Sequence, residues 1–315
     1  MKTHNKHYYY GMMVMLGMIW GSAYPLVRHL TTSGIDPYLV AVLRLQITTV
    51  FAAIMLLFSK DKFDVRVFRK NFWPYFFQSM IGVFGFFCVM NVGIAHTTAS
   101  KSALIVGSNP IVIVILSYFI LKEQLSKYKL VGIILAIGGV FLTAVGEELA
   151  TGQSLVFYPY DLVLLLGCLF WSVYSIMGRY YGDRLAGPQK IFFIFACSFV
   201  LVIPLDFVYA KQIASVTLEQ WLLLIYCGVV PGGLGYFIWN KGLSVLGASV
   251  CGMFNSLMPV CACLLSAIAL NERMAWVQIV GGILVVGGVL LGLMKVTMPV
   301  NYETGHSLTE GEANA

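Results

Sequence analysis

Stretches of about 20 apolar residues recur from one end of this chain to the other, and that recurrence constrains its fold more than any single motif. At ~1.5 Å rise per residue, such a stretch crosses a hydrocarbon core of ~30 Å as a helix. Ten spans can be read, at 8–30, 37–58, 72–95, 98–120, 127–146, 160–180, 188–209, 217–240, 247–269 and 275–296. Only 11% of the 315 residues are charged, against about 25% in a soluble domain, which leaves too few charges to wet a globular surface. The expected class is an all-α membrane protein, partnered by the lipid bilayer. The net charge of +6 is then a matter of topology, and nucleic acid is not expected as a partner. The apolar part of the N-terminal segment is too long for a signal peptide and no small-residue cleavage site follows it, so it is expected to remain as the first span. The seven cysteines all lie in apolar stretches without a CxxC pair, which suits packing rather than disulfides or metal binding.

The lysines and arginines sort by side. With the N-terminus in the cytoplasm, 15 fall on that side, including Lys60, Lys62, Arg66, Arg69, Lys70, Lys122, Lys127 and Lys129. Only Arg28, Lys101, Lys211 and Arg273 fall outside, and Arg44 lies within the second span. This excess predicts cytoplasmic termini at both ends.

The chain also repeats itself. NPIVIVILSYFILKE at 109–123 returns as MPVCACLLSAIALNE at 258–272, an offset of 149. Pro110, Glu123, Gly132 and Gly139 recur as Pro259, Glu272, Gly281 and Gly288, and Asn91 as Asn240. Upstream the offset is 151, where WGSAYPLVR at 20–28 faces WSVYSIMGR at 171–179. Each half therefore holds five spans. Because five is odd, the second half enters the membrane upside down, and Lys122, Lys127 and Lys129 are replaced there by Asn271, Trp276 and Gln278. The expected architecture is ten transmembrane helices as two inverted five-helix repeats, at 1–150 and 151–298, with a polar C-terminal tail at 299–315. Inverted repeats are common in secondary transporters, whose solute site lies between the halves.

The motifs WGSAYP at 20–25, SNPIVIVILSYFILKEQLSKYKLVGIILAIGGVFL at 108–142 and LMPVCACLLSAIALNERMAWVQIVGGILVVGGVLL at 257–291 resemble the drug/metabolite transporter superfamily, specifically its ten-helix members built from two EamA repeats. The resemblance implies a carrier in a cell (inner) membrane and leaves the solute open, since similar proteins move amino acids, nucleobase-like metabolites or lipophilic cations.

Polar and aromatic side chains within the spans are the candidates for a solute site: Trp20, Tyr24, Arg44, Gln78, Asn91, Asn109, Trp171, Tyr174, Tyr236, Asn240 and Asn255. They could wall a central cavity, or the aromatics could form interfacial belts while the amides bridge helices. Trp73 and Trp221, at span ends, suit the belt. Pro110 and Pro259 are placed inside helices, as bends with a hinge role. Arg44 and Lys101 are the cations nearest membrane depth and either could meet a carboxylate on the solute; for Lys101, near its helix end, snorkelling is favoured. Glu123 and Glu272 are expected to fix helix-end geometry in each half.

No GxxxxGK[ST], HExxH or GxSxG motif occurs, so neither ATP drive nor an enzyme is expected, and neither a cofactor nor a metal. All 14 acids lie in loops, tails or helix ends, which leaves His96 as the proton-relay candidate and favours facilitated diffusion or exchange. The function expected is a secondary transporter that moves a small-molecule solute, amino-acid-like or otherwise neutral or zwitterionic, most simply as an exporter, by alternating access. Lipophilic drug efflux is the alternative within transport, and a non-transporting scaffold or receptor the alternative outside it. A homodimer is compatible with the sequence but not specified by it.

Overall fold

A computed structural model describes residues 6–59, 64–96, 102, 105–107, 109–152, 159–181, 187–270 and 275–294. Among the described residues, ten helical spans make up the bundle. They are α1 (Lys6–Thr32), α2 (Pro37–Phe58), α3 (Phe72–Ala95), α4 (Asn109–Ile120), α5 (Lys127–Thr151), α6 (Pro159–Tyr180), α7 (Gly187–Val208), α8 (Leu218–Leu246), α9 (Ala248–Asn255, resuming as Leu257–Leu270) and α10 (Trp276–Leu293). Seven of them, α1, α2, α3, α6, α7, α8 and α10, are long and apolar enough to cross a membrane. Among the described residues there is no strand. Lys101, Asn271, Glu272, Arg273 and the tail at 299–315 lie outside the described residues, as do the start of the fourth span and residues 153–158.

Local chemistry sets the helix ends. Asp36 caps α2 by accepting from Tyr38 N at 2.8 Å, with Pro37 as the first helical residue, where its missing N–H costs nothing. Tyr209, just past α7, donates its hydroxyl to the same carboxylate at 3.2 Å; burial and the Asp36 charge push that hydroxyl up to about 12. Thr217 and Gln220 form a capping box at the start of α8. That helix runs past residue 240 to Leu246 and turns into α9 at Gly247, whose φ of +86° favours glycine. The ninth span is divided at Ser256, and the fifth continues to Thr151.

The two halves pack chiefly against each other. The first helix of one half, α1, lies on α8 and α9 of the other; its counterpart α6 lies on α3 and α4. Likewise α2 packs on α8 and α7 on α3, while α2 and α7 also touch. The most extensive contact is between α5 and α10. A Cβ on Gly132 would lie 2.4 Å from Gly288 O, and one on Gly139 would lie 2.5 Å from Gly281 O. Gly281 and Gly288 are the plus-149 counterparts of Gly132 and Gly139, so each glycine meets the counterpart of the other. Only an antiparallel pair related by a two-fold axis satisfies both contacts, which is the inverted repeat seen in atoms. Small residues there let the backbones touch where no water is available to drive association.

Within α3 and α8 the helix widens into π-turns, at Met80–Gly85 and Gly228–Leu234. These are equivalent places in the two repeats, and both are held by the opposite half. Thr48 Oγ1 donates to Gly228 O at 2.7 Å, and Ser198 Oγ donates to Ser79 O at 3.2 Å; Ser79 and Gly228 are plus-149 counterparts. One pair deeper, Tyr236 OH donates to Gly82 O at 3.2 Å, and Trp20 Nε1 donates to Pro231 O at 3.0 Å, again on counterpart carbonyls. A widened turn leaves carbonyls in need of partners, and side chains across the repeat boundary supply them.

Replacing Gly288 by valine should separate α5 from α10, because the nearest atoms are backbone and cannot give way. The expected cost is about 1–3 kcal/mol, read as a lower unfolding temperature in detergent, whereas Gly287→Ala, whose Cβ meets open space, should leave that temperature nearly unchanged.

Candidate solute-binding cavity

Three tryptophans meet where the repeats join. Trp20 and Trp171, counterparts at offset 151, pack edge to face with centroids 5.1 Å apart. Trp239 lies 5.4 Å from the first and 5.2 Å from the second and is fully buried. Tyr174 stacks on Trp171 at 5.3 Å, and Tyr236 packs edge-on to Trp171 at 5.4 Å. Glycines make room for this cluster: a Cβ on Gly235 would lie 2.5 Å from Trp20 Nε1, and one on Gly82 would strike the Tyr174 ring.

Above this aromatic floor is a cavity of about 90 Å³. A water needs roughly 10–15 Å³ on the same measure, so the space takes a small organic molecule. It extends from Trp20 and Trp171 toward the end of the bundle where α1 and α3 finish, at Val27 and Ile94, and where the chain enters α4, at Val106. Phe86, Phe87, Met90 and Met258 contribute to the apolar wall, and Arg44 is the one charged residue that lines it. Arg44 Nη1 donates to Asn91 Oδ1 at 3.2 Å, and the guanidinium carbon sits 5.0 Å from the Phe87 ring centroid. Among the described residues no carboxylate lies within ion-pair distance of Arg44. Asn109 accepts from Ser172 Oγ at 2.7 Å across the α4–α6 contact. Tyr24 and Asn255 are buried in the wall.

Of the residues singled out in the sequence, Trp20, Tyr24, Arg44, Asn91, Asn109, Trp171, Tyr236 and Asn255 line the cavity together. The other three do not. Tyr174 lies behind Trp171 and accepts from Asn240 Nδ2 at 2.7 Å. Gln78 is buried and turns back on its own helix, donating to Pro74 O at 3.3 Å. Pro110 follows helical residues at 105–107, and Pro259 stands in the second segment of α9, three residues past the break at Ser256. The irregular backbone of the site includes the pair of π-turns and the break at Ser256. His96 is exposed at the end of α3, stacked on Tyr160 at 4.2 Å, and does not line the cavity. Glu123 is a helix-end residue: its carboxylate accepts from Ala248 N at 3.0 Å, from Ser249 N at 3.1 Å and from the Ser249 hydroxyl, holding the start of α9 from the other half.

Phe86, Phe87, Met90 and Met258 are lining residues the sequence reading passed over. A signal existed for part of them. Gln78 and Gly82 extend at four-residue steps to Phe86 and Met90, and the extra residue in the π-turn brings Phe87 and Asn91 alongside.

Two inverted helical repeats that enclose an internal cavity at their junction are the architecture of a secondary membrane transporter. The chain belongs to the EamA-like transporter family, whose model matches residues 7–145 and 159–294. With it comes the drug/metabolite transporter class, a multi-pass membrane protein acting on a small-molecule solute. Among its relatives, the uncharacterized transporter YyaM of Bacillus subtilis (strain 168) is 28% identical, over 94% of this chain and 96% of that one. A probable terminal-alkyne amino-acid exporter of Streptantibioticus cattleyicolor is 24% identical, over 89% of this chain and 91% of its own. A solved crystal structure at 19% identity shares the fold, with a TM-score of 0.72 over 89% of this chain and 96% of the other.

The Trp20–Pro231 hydrogen bond can be separated from the ring that carries it. Trp20→Phe keeps an aromatic floor but strands the Pro231 carbonyl, at an expected cost of about 1–3 kcal/mol, seen as a lower unfolding temperature. Trp20→Ala and Trp171→Ala should in addition abolish solute flux in liposomes while the protein still reaches the membrane.

Proposed function

We propose that this chain is a secondary carrier that moves a small metabolite, amino-acid-like or otherwise neutral or zwitterionic, across the cell (inner) membrane by alternating access, in the direction of export. The observation that carries the proposal is the cavity between the repeats, walled by aromatic and apolar side chains with a few amides and one guanidinium. A lipophilic cation would want an anionic wall, and none of the lining residues is acidic. The likeness to a probable amino-acid exporter supports both the solute class and the direction. The halves at 1–150 and 151–298 are taken as the two moving units, with the tail at 299–315 outside them. No chemical conversion of the solute is proposed.

With both termini in the cytoplasm, as the charge distribution indicates, α1 and α3 finish on the outer side. The cavity then opens outward from the tryptophan floor, and the floor together with the Glu123 contact to α9 closes the cytoplasmic path. Cysteines introduced singly at Ser59 and Ser215 in a cysteine-free background test this orientation. An impermeant thiol reagent added to intact cells should label the second and not the first; the reverse pattern would invert the assignment.

No Asp, Glu or His lines the cavity. His96 is engaged with Tyr160, and both oxygens of Asp206 accept from Gln46 Nε2, at 2.9 and 2.7 Å. Flux is therefore expected to follow the solute gradient and to persist after a protonophore collapses the pH gradient across proteoliposomes. Uphill accumulation that requires the pH gradient and survives His96→Ala would replace the uncoupled carrier with a proton-driven one.

A further inference from the structure

The polar atoms that the cavity leaves without partners are all of one kind. Arg44 Nε, Asn91 Nδ2 and Trp171 Nε1 are buried, belong to lining residues and have no hydrogen-bond partner. All three are donors. The Asn91 orientation is not arbitrary, because Arg44 can only donate and so takes the Asn91 oxygen, leaving the amide nitrogen free. The acceptors on the same wall are largely spent: Asn109 Oδ1 is taken by Ser172, and the Pro231 carbonyl by Trp20. Tyr24 and Asn255 can serve in either sense. Buried polar groups in folded proteins are nearly always paired, so unpaired donors in residues that line a cavity point to a guest that brings the acceptors.

We propose that the site recognises its solute by a carboxylate, and that an ammonium group contributes little to binding. This rests on the carrier reading above and narrows it. A carboxylate is acceptor-only, and its two oxygens match the fork of a guanidinium. Arg44 is the group that meets it, because it carries the only charge on the wall and has no acidic partner; Asn91 positions that guanidinium and offers its free N–H alongside. The rest of the solute lies against Phe86, Phe87, Met90 and Met258, a surface with no carboxylate to pair with an ammonium. An amino acid would thus be held by one end, and the corresponding acid without its amine would be held comparably well.

Four probes of one shape test this: 4-methylpentanoate, leucine, 4-methylpentanamide and 3-methylbutylamine, titrated calorimetrically into the purified full-length protein in detergent. The two carboxylates should bind within a few-fold of each other, and the amide and the amine at least about tenfold more weakly. Arg44→Gln should weaken 4-methylpentanoate at least about tenfold, since hydrogen bonds to charged groups are the stronger kind, and Arg44→Lys should restore part of the loss. If Arg44→Gln does not fold, Asn91→Asp gives the same answer, by setting a carboxylate against Arg44 and displacing the probe. The proposal fails if the amine or amide binds as tightly as the acid, if Arg44→Gln leaves the affinity unchanged, or if neither carboxylate binds. Flux of solutes into proteoliposomes is scored separately, so such a failure leaves the carrier reading to stand or fall by its own test.

Discussion

Inside a bilayer no backbone carbonyl can be left to water, and the two π-turns are where this chain meets that constraint most directly. Each widened turn needs donors, and each takes them from the other repeat: Thr48 and Trp20 serve α8, Ser198 and Tyr236 serve α3. Two of those donors, Trp20 and Tyr236, also line the cavity. The irregular backbone, the join between the halves and the solute site are therefore one arrangement. A change in any of them disturbs the other two.

The halves share a scaffold but not a chemistry. The glycine seam and the π-turn carbonyls obey the two-fold relation residue by residue. The cavity does not. At offset 151 the counterpart of Arg44 is Phe195, which packs on Tyr236 at 4.9 Å. Asn91 takes the guanidinium, whereas its counterpart Asn240 bonds Tyr174 beneath the floor. The first repeat thus contributes the charge and the second contributes most of the aromatic floor. Symmetry is kept where it lets the halves pack and lost where a solute has to be held in one orientation.

How much of this was legible follows from the kind of signal each feature leaves. Span length is written in runs of apolar residues, so the helices lie close to their expected places. The inversion is written in Pro110 and Pro259, Glu123 and Glu272, and in the odd number of spans per repeat. The cavity was partly legible because tryptophan, arginine and asparagine are conspicuous among apolar residues. Phe87 and Met258 were not, being indistinguishable from lipid-facing neighbours until the helices are packed. The π-turns were hidden for a different reason. GVVPGGLG at 228–235 looks like a close-packing surface, and a widened turn has no composition of its own. The matched prolines drew attention to α4 and α9 and away from the widened turns of α3 and α8.

The seam between α5 and α10 has a bearing on origins. Its two contacts are Gly132 with Gly288 and Gly139 with Gly281, and each residue faces the copy of its neighbour seven positions away. Such a face is complementary to itself. A single five-helix chain carrying glycines at those two places would find, on an identical chain inserted the opposite way up, the surface it needs. The covalent link between the repeats then adds proximity and a fixed stoichiometry to an association already encoded in either half. It also frees each half to diverge, and the single guanidinium on the cavity wall is one product of that freedom: a pair of identical chains would carry two or none.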